Sequence, residues 1–337
     1  MLIIGCDFHP SFQQVSIFDN RSGEESSLRL DHPEGARLFY QGLRGEEVLI
    51  GMEASGFSQW FERLLAECGH QLWIGDAAQI RASYVRRQKT DRRDAAHLLR
   101  LLQEGRFPRI WVPSPEERDV RQLLVHRGKR VRMATQIKNQ LQALALNQGV
   151  QKKHKLWTGP GREQLRQLRL GPWATRRRDE LLASLEELQR QIAELDAAVE
   201  HEAGRRPQAM QLQKLKGVGP VTALATVLTL GPVERFRNAR QVASYVGLTP
   251  SEHSSGGKQR LGHISKQGSP FLRGLLVEAA QSAARHDPEL KRDYVRLAMR
   301  RSKGVAKVAV ARKLLVKMYW TLRQGWEATQ LPGSSCR

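Results

Sequence analysis

Short apolar runs mark out the first hundred residues, and helical spacing marks out the rest. Leu2–Cys6 reads as a buried strand, and Gln13–Phe18 alternates well enough to pair with it across the Asp7–Phe12 turn. Ser27–Leu30, Val48–Met52 and Leu72–Ile74 are three further strand candidates. Phe57, Trp60, Phe61, Leu64 and Leu65 fall on one face of a predicted helix, Phe57–Cys68, which stops at Gly69. Thr90 is a suitable N-cap for a helix over Asp91–Gln103, which buries Ala95, Leu98, Leu99 and Leu102 and ends at Gly105.

Farther along, Leu181, Leu185, Leu188, Ile192, Leu195 and Val199 alternate steps of four and three, the seam of a coiled coil. A looser pattern from Glu116 to Asn147 runs through Val120, Leu124, Val131, Ile137, Leu141 and Leu144. The Gly-, Pro- and base-rich stretch Gln151–Arg178 separates the two, so an antiparallel coiled-coil hairpin with a basic loop is expected, closed within one chain or between two. From Pro207 the chain reads as helical again. Leu215-Lys216-Gly217-Val218-Gly219-Pro220 before the apolar Val221–Leu230 has the form of a helix-hairpin-helix, whose glycine turn and helix N-terminus can hold a phosphate. A plain helix–helix turn fits the same letters. A polar loop, Ser251–Lys258, and basic helices over Pro270–Ala284 and Pro288–Gln324 complete the reading. Hairpin strands, then a parallel strand, then helices is the order of an RNase H-like fold, so the fold class is α/β followed by all-α. The expected domains are residues 1–107, 108–207 and 208–330.

Charge adds a direction. The 337 residues hold 55 Lys+Arg against 34 Asp+Glu, a formal net charge of +21. Residues 1–107 carry 13 basic against 15 acidic residues, net −2; residues 108–207 net +8; residues 208–337 net +15. A basic middle and C-terminal part beside a slightly acidic N-terminal part implies a polyanion, and nucleic acid is the favoured one. Cys6, Cys68 and Cys336 are scattered with no CxxC pair, which suits a reducing cytoplasm and neither a disulfide scaffold nor a thiolate zinc site. No apolar run reaches the roughly 18 residues of a membrane span. The start also lacks the basic segment and cleavage site of a secretory signal.

Four acids then stand out. Asp7 ends the apolar run Leu2–Cys6, Glu53 ends Val48–Met52, and Asp91 and Asp94 sit three apart at a helix start. Acids at the ends of two buried strands and on one helix face can converge, and carboxylates without thiolates or histidine pairs favour Mg²⁺, with Mn²⁺ as the substitute. Four acids can hold two ions about 4 Å apart, clamping the attacking and leaving oxygens of a phosphodiester. Taken alone, Asp91 and Asp94 suit the helix dipole better than a metal; Asp7 and Glu53, directly after buried runs, turn the reading to the metal. The second focus is Ser255, in a loop followed by glycines, with Lys258, Arg260, Lys266 and Arg273 nearby in sequence. A serine hydroxyl needs a base or metal before it attacks, and apart from His253 no local relay is evident.

Several blocks together resemble the DEDD-type insertion-sequence transposases, the bridge-RNA-guided serine recombinases. They are Ile4-Gly5-Cys6-Asp7 with His9, Met52-Glu53-Ala54-Ser55-Gly56 and Lys89-Thr90-Asp91-Arg92-Arg93-Asp94-Ala95 in the first part. In the C-terminal half they are Gly217-Val218-Gly219-Pro220, Gly247-Leu248-Thr249-Pro250, Ser254-Ser255-Gly256-Gly257 and Ile264-Ser265-Lys266-Gln267-Gly268 with Leu272-Arg273. The resemblance implies a RuvC-like domain holding Mg²⁺ on Asp7, Glu53, Asp91 and Asp94, a coiled coil used for assembly, and a C-terminal transposase domain whose nucleophile is Ser255. It implies donor and target DNA as partners, a structured noncoding guide RNA, and a homo-oligomer, dimer or tetramer, in which one subunit's acids serve another's serine. It also places the protein in the bacterial cytoplasm, at the nucleoid.

The expected activity is therefore a DNA recombinase that forms a 5′-phosphoserine intermediate. Lys258, Arg260, Lys266 and Arg273 would hold phosphates near the nucleophile, and Gly217 and Gly219 would hold backbone elsewhere. The first alternative is a metal-dependent junction-resolving nuclease in which water attacks. A non-catalytic nucleic-acid scaffold and a sugar-kinase-like ATPase are the others; the ATPase lacks glycine-rich phosphate loops beside Asp7.

Overall fold

The apolar runs of the first hundred residues assemble into one five-stranded sheet. Its strands are β1 (Leu2–Phe8), β2 (Phe12–Asp19), β3 (Glu25–Asp31), β4 (Val48–Glu53) and β5 (Gln71–Gly75). They lie in the order β3-β2-β1-β4-β5. β1, β2 and β3 are antiparallel neighbours, while β4 is parallel to β1 and β5 parallel to β4. The helices of this part are α1 (Glu34–Gly42), α2 (Gln59–Cys68), α3 (Ala77–Ala82) and α4 (Asp91–Gln103). The computed structural model describes residues 1–84, 90–151, 155–252, 254, 258 and 260–330, with side chains as far as 325. The chain divides into two units, Met1–Val112 and Pro113–Arg337.

Strand alternation sorts the first unit into two apolar layers. Ile4, Cys6, Ile50, Met52 and Ile74 face one side with Tyr40 of α1 and Phe61 and Leu65 of α2. Ile3 faces the other with Leu98, Leu99 and Leu102 of α4 and Phe107. A mixed sheet of this order, ahead of a mostly helical remainder, is consistent with an RNase H-like domain. The β1–β2 connection is tight, with the His9 N–H donating to the Phe12 carbonyl at 2.9 Å. Pro10 and Ser11 lie between the two bonded residues.

Some boundaries differ from expectation. The helices α1 and α3 were not foreseen, because both are short and bury few residues, Ala36 and Tyr40 in α1 and Ile80 in α3. α2 begins at Gln59, not at Phe57, whose side chain is left 74% exposed. The Ser58 hydroxyl donates to the Ser55 carbonyl there, which holds the preceding turn out of the helix.

In the second unit, α5 (Pro115–Asn147) starts at a capping box in which Ser114 and Glu117 satisfy each other's backbone N–H. A short 3₁₀ turn (Lys155–Trp157), α6 (Gly159–Arg166) and α7 (Pro172–Gly204) follow. α5 and α7 each run 33 residues and share one apolar cluster, in which Ala134, Leu141 and Ala145 meet Leu182, Leu185 and Leu188. Leu156 and Leu165 join it from the intervening segment, so the expected basic loop Gln151–Arg178 is partly helical and partly buried. Arg178 explains how a base-rich stretch packs. Its Nη1 donates to the carbonyls of Arg166 and Leu168, capping the end of α6.

The remainder comprises α8 (Pro207–Gln213), α9 (Pro220–Leu230), a 3₁₀ turn at Val233–Arg235, α10 (Ala239–Tyr245), the hairpin β6 (Pro250–Glu252) and β7 (Leu261–Ile264), α11 (Pro270–His286), α12 (Pro288–Arg300) and α13 (Lys303–Gln330). The single helix expected over Pro288–Gln324 is broken between α12 and α13. Arg301 is extended (φ −135°, ψ −161°), and Ser302 accepts from the Val305 N–H to start the next helix. Of the expected polar loop Ser251–Lys258, Ser251 and Glu252 belong to strand β6.

Candidate active site

Two glycines decide where the acids stand. A Cβ built on Gly5 would lie 3.0 Å from Leu99 Cα and nearer still to the Ala95 carbonyl oxygen and the Leu99 nitrogen. One built on Gly51 would meet Leu102 Cδ1 at 2.7 Å and Phe107 Cε2 at 2.9 Å. Gly5 and Gly51 are direct partners in the β1–β4 ladder. Their missing side chains let α4 lie against the sheet at this point. Asp7 and Glu53 come two residues after these glycines, so they stand on the same face, at the end where α4 begins.

The N-terminus of α4 brings the other two acids. Thr90 caps the helix through the Arg93 N–H, leaving Asp91 and Asp94 in its first turn. Asp7, Asp91 and a fifth residue, His9, place one ligand atom each within 4.8 Å of one another. His9 Nε2 is 3.1 Å from Asp7 Oδ2 and 3.7 Å from Asp91 Oδ1. Burial pushes the Asp7 carboxyl above the ordinary carboxylate range, His9 opposes the shift, and the charges of Asp94 and Asp91 add to it. Negative charge thus accumulates at a half-buried point, which is what a cation would relieve.

Asp94 is engaged differently. The Tyr84 hydroxyl donates to its Oδ1 at 2.6 Å. Burial, with the bond to Asp94 and its charge, pushes the Tyr84 hydroxyl up to about 12, so it remains a donor across the physiological range. Glu53 ends β4 beside Gly75 of β5 and is half-buried, and it is not among the three residues of the tight cluster. The fold thus gathers Asp7, Asp91 and Asp94, and sets Glu53 one position past the last β1–β4 pair, Cys6 with Met52.

His9 and Tyr84 went unassigned in the sequence reading. The signal for His9 was its place two residues after Asp7 at a hairpin turn. Tyr84 carries no comparable signal, since it precedes α4 by several residues and finds Asp94 only through the tertiary fold.

In the second unit, two glycine-bearing blocks dock on each other. A Cβ on Gly247 or on Gly268 would collide with the backbone of Gln267 or Tyr245, respectively. Ser265 N donates to the Thr249 carbonyl and Lys266 N to the Gly247 carbonyl. Lys266 itself has φ +56°, held there by this docking. Arg273 Nη1 donates to the carbonyls of Val246, Gln267 and Gly268, so this nitrogen pins the junction. Lys258 and Arg260 are exposed, and the Arg260 N–H donates to the Ser254 hydroxyl. Ser254 in turn donates to Glu252 Oε1 at 2.6 Å. Ser255, with His253, Gly256 and Gly257, and Lys89 of the helix-start block, lies outside the described residues.

At the turn before α9, Gly217 has φ +83°, and a Cβ there would meet the Ala279 carbonyl at 2.7 Å and Ala283 Cα at 2.8 Å. Its hydrogen faces α11. Gly219, the N-cap of α9, has open space around its Cα.

Comparison with known proteins accounts for both parts. Residues 4–149 match the family model for DEDD transposases of the IS110 type, described as "Transposase", and residues 209–295 match "Transposase IS116/IS110/IS902 family". A probable family 20 transposase of Pseudomonas aeruginosa is 30% identical over 333 residues, covering 95% of this chain and 96% of the relative. The chain belongs to the IS110/IS116 transposase family. A putative transposase of Sinorhizobium fredii, y4rJ, is 31% identical over 310 residues, covering 82% of this chain and 78% of its own. The transposase for insertion sequence element IS1111A of Coxiella burnetii is 27% identical over 245 residues, 70% of this chain and 66% of that one. This insertion-sequence transposase is accordingly an enzyme of DNA transposition, with DNA as its partner. DEDD-type domains typically use divalent metal ions, and the acid cluster fits that use. Among the described residues, no helix is long and apolar enough to cross a membrane.

Proposed function

We propose that this transposase cuts and rejoins DNA through a covalent serine intermediate, guided by a structured noncoding RNA. The observation that carries the chemistry is the convergence of Asp7, Asp91 and Asp94 at the glycine-permitted contact of α4 with the sheet. Asp7, Asp91 and Asp94, with Glu53 on the adjacent strand end, would hold Mg²⁺. When bound, the metal supplies charge neutralisation at the phosphate and lowers the cost of deprotonating a hydroxyl.

The remaining work falls to side chains. Ser255 Oγ attacks phosphorus; the Oγ–P bond forms as the P–O3′ bond breaks. The serine proton leaves to a base, and the departing 3′ oxygen takes one up. The 5′-phosphoserine ester retains the energy of the phosphodiester, so rejoining by a 3′-hydroxyl needs no ATP. Ser254 supports the choice of Ser255: its hydroxyl already bridges Glu252 and the Arg260 N–H. Lys258, Arg260 and Lys266 would meet phosphates around the nucleophile, and the open N-cap Gly219 would meet backbone elsewhere. Gly217 would shape that turn. Arg273 would act through the docked loops that it ties together.

The long α5 and α7 would form a coiled-coil hairpin that assembles a homo-oligomer, with the acids of one subunit acting on the serine of another. The three parts would then be residues 1–107 for metal, 108–207 for assembly and 208–330 for the nucleophile. The protein would work at the bacterial nucleoid.

A second reading, a metal-dependent junction-resolving nuclease, is favoured by one fact: the acid cluster forms within residues 1–112. Product ends separate the two. With the element's own ends and its flanking noncoding transcript, the wild type should give a protein–DNA adduct and Ser255→Ala none. Hydrolysis by Ser255→Ala at the wild-type rate would establish the nuclease instead.

A further inference from the structure

We propose that His9 supplies a nitrogen ligand to the metal site it forms with Asp7 and Asp91, and that this donor biases the site toward first-row transition ions over Mg²⁺. The inference rests on the metal reading of the acids given above and adds to it a donor outside the four acids.

The geometry suits one ion. Ligand atoms bonded at about 2.1 Å to a common cation, at right angles, stand about 3 Å apart, and somewhat more in distorted sites. The separations from His9 Nε2, 3.1 Å to Asp7 Oδ2 and 3.7 Å to Asp91 Oδ1, match adjacent corners of such a polyhedron. All three atoms lie within 4.8 Å of one another.

The imidazole is also held where it is. It leads the tight turn closed by the His9–Phe12 backbone hydrogen bond. Its ring stacks on Phe12, with centroids 4.7 Å apart and planes 24° from parallel. The Arg29 guanidinium packs over the same Phe12 ring, 3.8 Å from its centroid. A ring stacked on Phe12, which Arg29 covers in turn, keeps its Nε2 on the carboxylates at a lower entropy cost than ordering a free side chain. Mg²⁺ is a hard ion that keeps oxygen and water ligands, whereas imidazole binds first-row transition ions well. Exchanging one oxygen donor for nitrogen therefore shifts selectivity.

Mn²⁺ is the probe, because it is paramagnetic and can compete with Mg²⁺. Pulsed electron paramagnetic resonance on the full-length protein should show a ¹⁴N coupling to bound Mn²⁺. In His9→Ala and in the size-conserving His9→Gln that coupling should vanish. Mn²⁺ affinity should fall about tenfold or more, with a smaller change for Mg²⁺. Wild-type Mn²⁺ bound without nitrogen coupling overturns the proposal and leaves His9 a hydrogen-bond partner of Asp7; that measurement needs no variant to fold. Equal losses for both ions overturn the selectivity. Asp7→Asn distinguishes the underlying metal reading: it should abolish binding of both ions, and full Mn²⁺ binding by Asp7→Asn would remove that reading together with this one.

Discussion

Replacing Gly5 by alanine adds one methyl group at the point where α4 rests on the sheet. The new Cβ would sit 3.0 Å from Leu99 Cα, and closer to two other backbone atoms of the helix. Carbon atoms settle at about 3.5–4.0 Å, so the helix must withdraw by at least about 0.5 Å, and nearer 1 Å to clear the carbonyl oxygen of Ala95. No side-chain rotation relieves this, since the obstacles are backbone. Overpacking of this kind costs about 1–3 kcal/mol. For a unit of this size, each kcal/mol lowers the melting temperature by about 4–8 °C. The functional effect should be larger than the stability effect, because Asp91 and Asp94 ride on α4 while Asp7 does not. A displacement of about 1 Å in a catalytic group can cost about 100-fold in rate. The assay is thermal melting followed by Mn²⁺ binding and DNA cleavage at a temperature where both proteins are folded. Gly42→Ala, which meets nothing within 4 Å in α1, is the control. A Gly5→Ala protein that melts, binds metal and cleaves like wild type refutes the argument that glycine sets the position of the acids.

Other consequences can be checked separately. Tyr84→Phe removes the donor to Asp94 Oδ1; stability should fall by about 0.5–1.5 kcal/mol in a denaturant titration, and cleavage should slow further as Asp94 loses its orientation. Gly217→Ala must accept both φ +83° and contact with α11; it should cost about 2–4 kcal/mol, while Gly219→Ala should melt within about 1 kcal/mol of wild type. Asp293 of α12 accepts from Lys313, the largest influence, and from Arg296, and its carboxyl is held below the ordinary carboxylate range. A depressed carboxyl stabilises the fold above its unfolded pKa of about 3.9 and loses that contribution as pH falls through the folded value. The melting temperature of wild type should therefore drop below about pH 4 more steeply than that of Asp293→Asn. Finally, DNA affinity should weaken linearly in log–log plots against salt, as +21 of net charge meets phosphate.

The strands and α4 were legible because each signal was local. Thr90 caps α4 and Ala95, Leu98, Leu99 and Leu102 are buried, as their spacing required. The acids stood out because they end apolar runs. What the pattern could not show was the role of Gly5 and Gly51, although each lies two residues before an acid; their meaning appears only when α4 is laid across them. The approach of His9 to Asp91 was hidden for the same reason, since the two are distant in sequence. In the second unit, Arg178 shows why a basic stretch was misjudged as a loop: its guanidinium is buried on carbonyls, which charge patterning alone does not foresee. The hairpin β6–β7 escaped because its strands are short, three and four residues, and mix polar with apolar positions; they pair at Pro250–Ile264 and Glu252–Leu261.

The central claim, that the acids of the first unit activate Ser255 of the second, is tested most directly by trapping the intermediate. DNA carrying the element's end, labelled at the 3′ end of the strand segment that acquires the new 5′ phosphate, is incubated with the guide transcript, metal and protein, then run on a denaturing gel. Wild type should give a labelled protein–DNA adduct that protease removes; Asp7→Asn and Ser255→Ala should each give none. A full-yield adduct from Ser255→Ala, or from Asp7→Asn, would contradict the account.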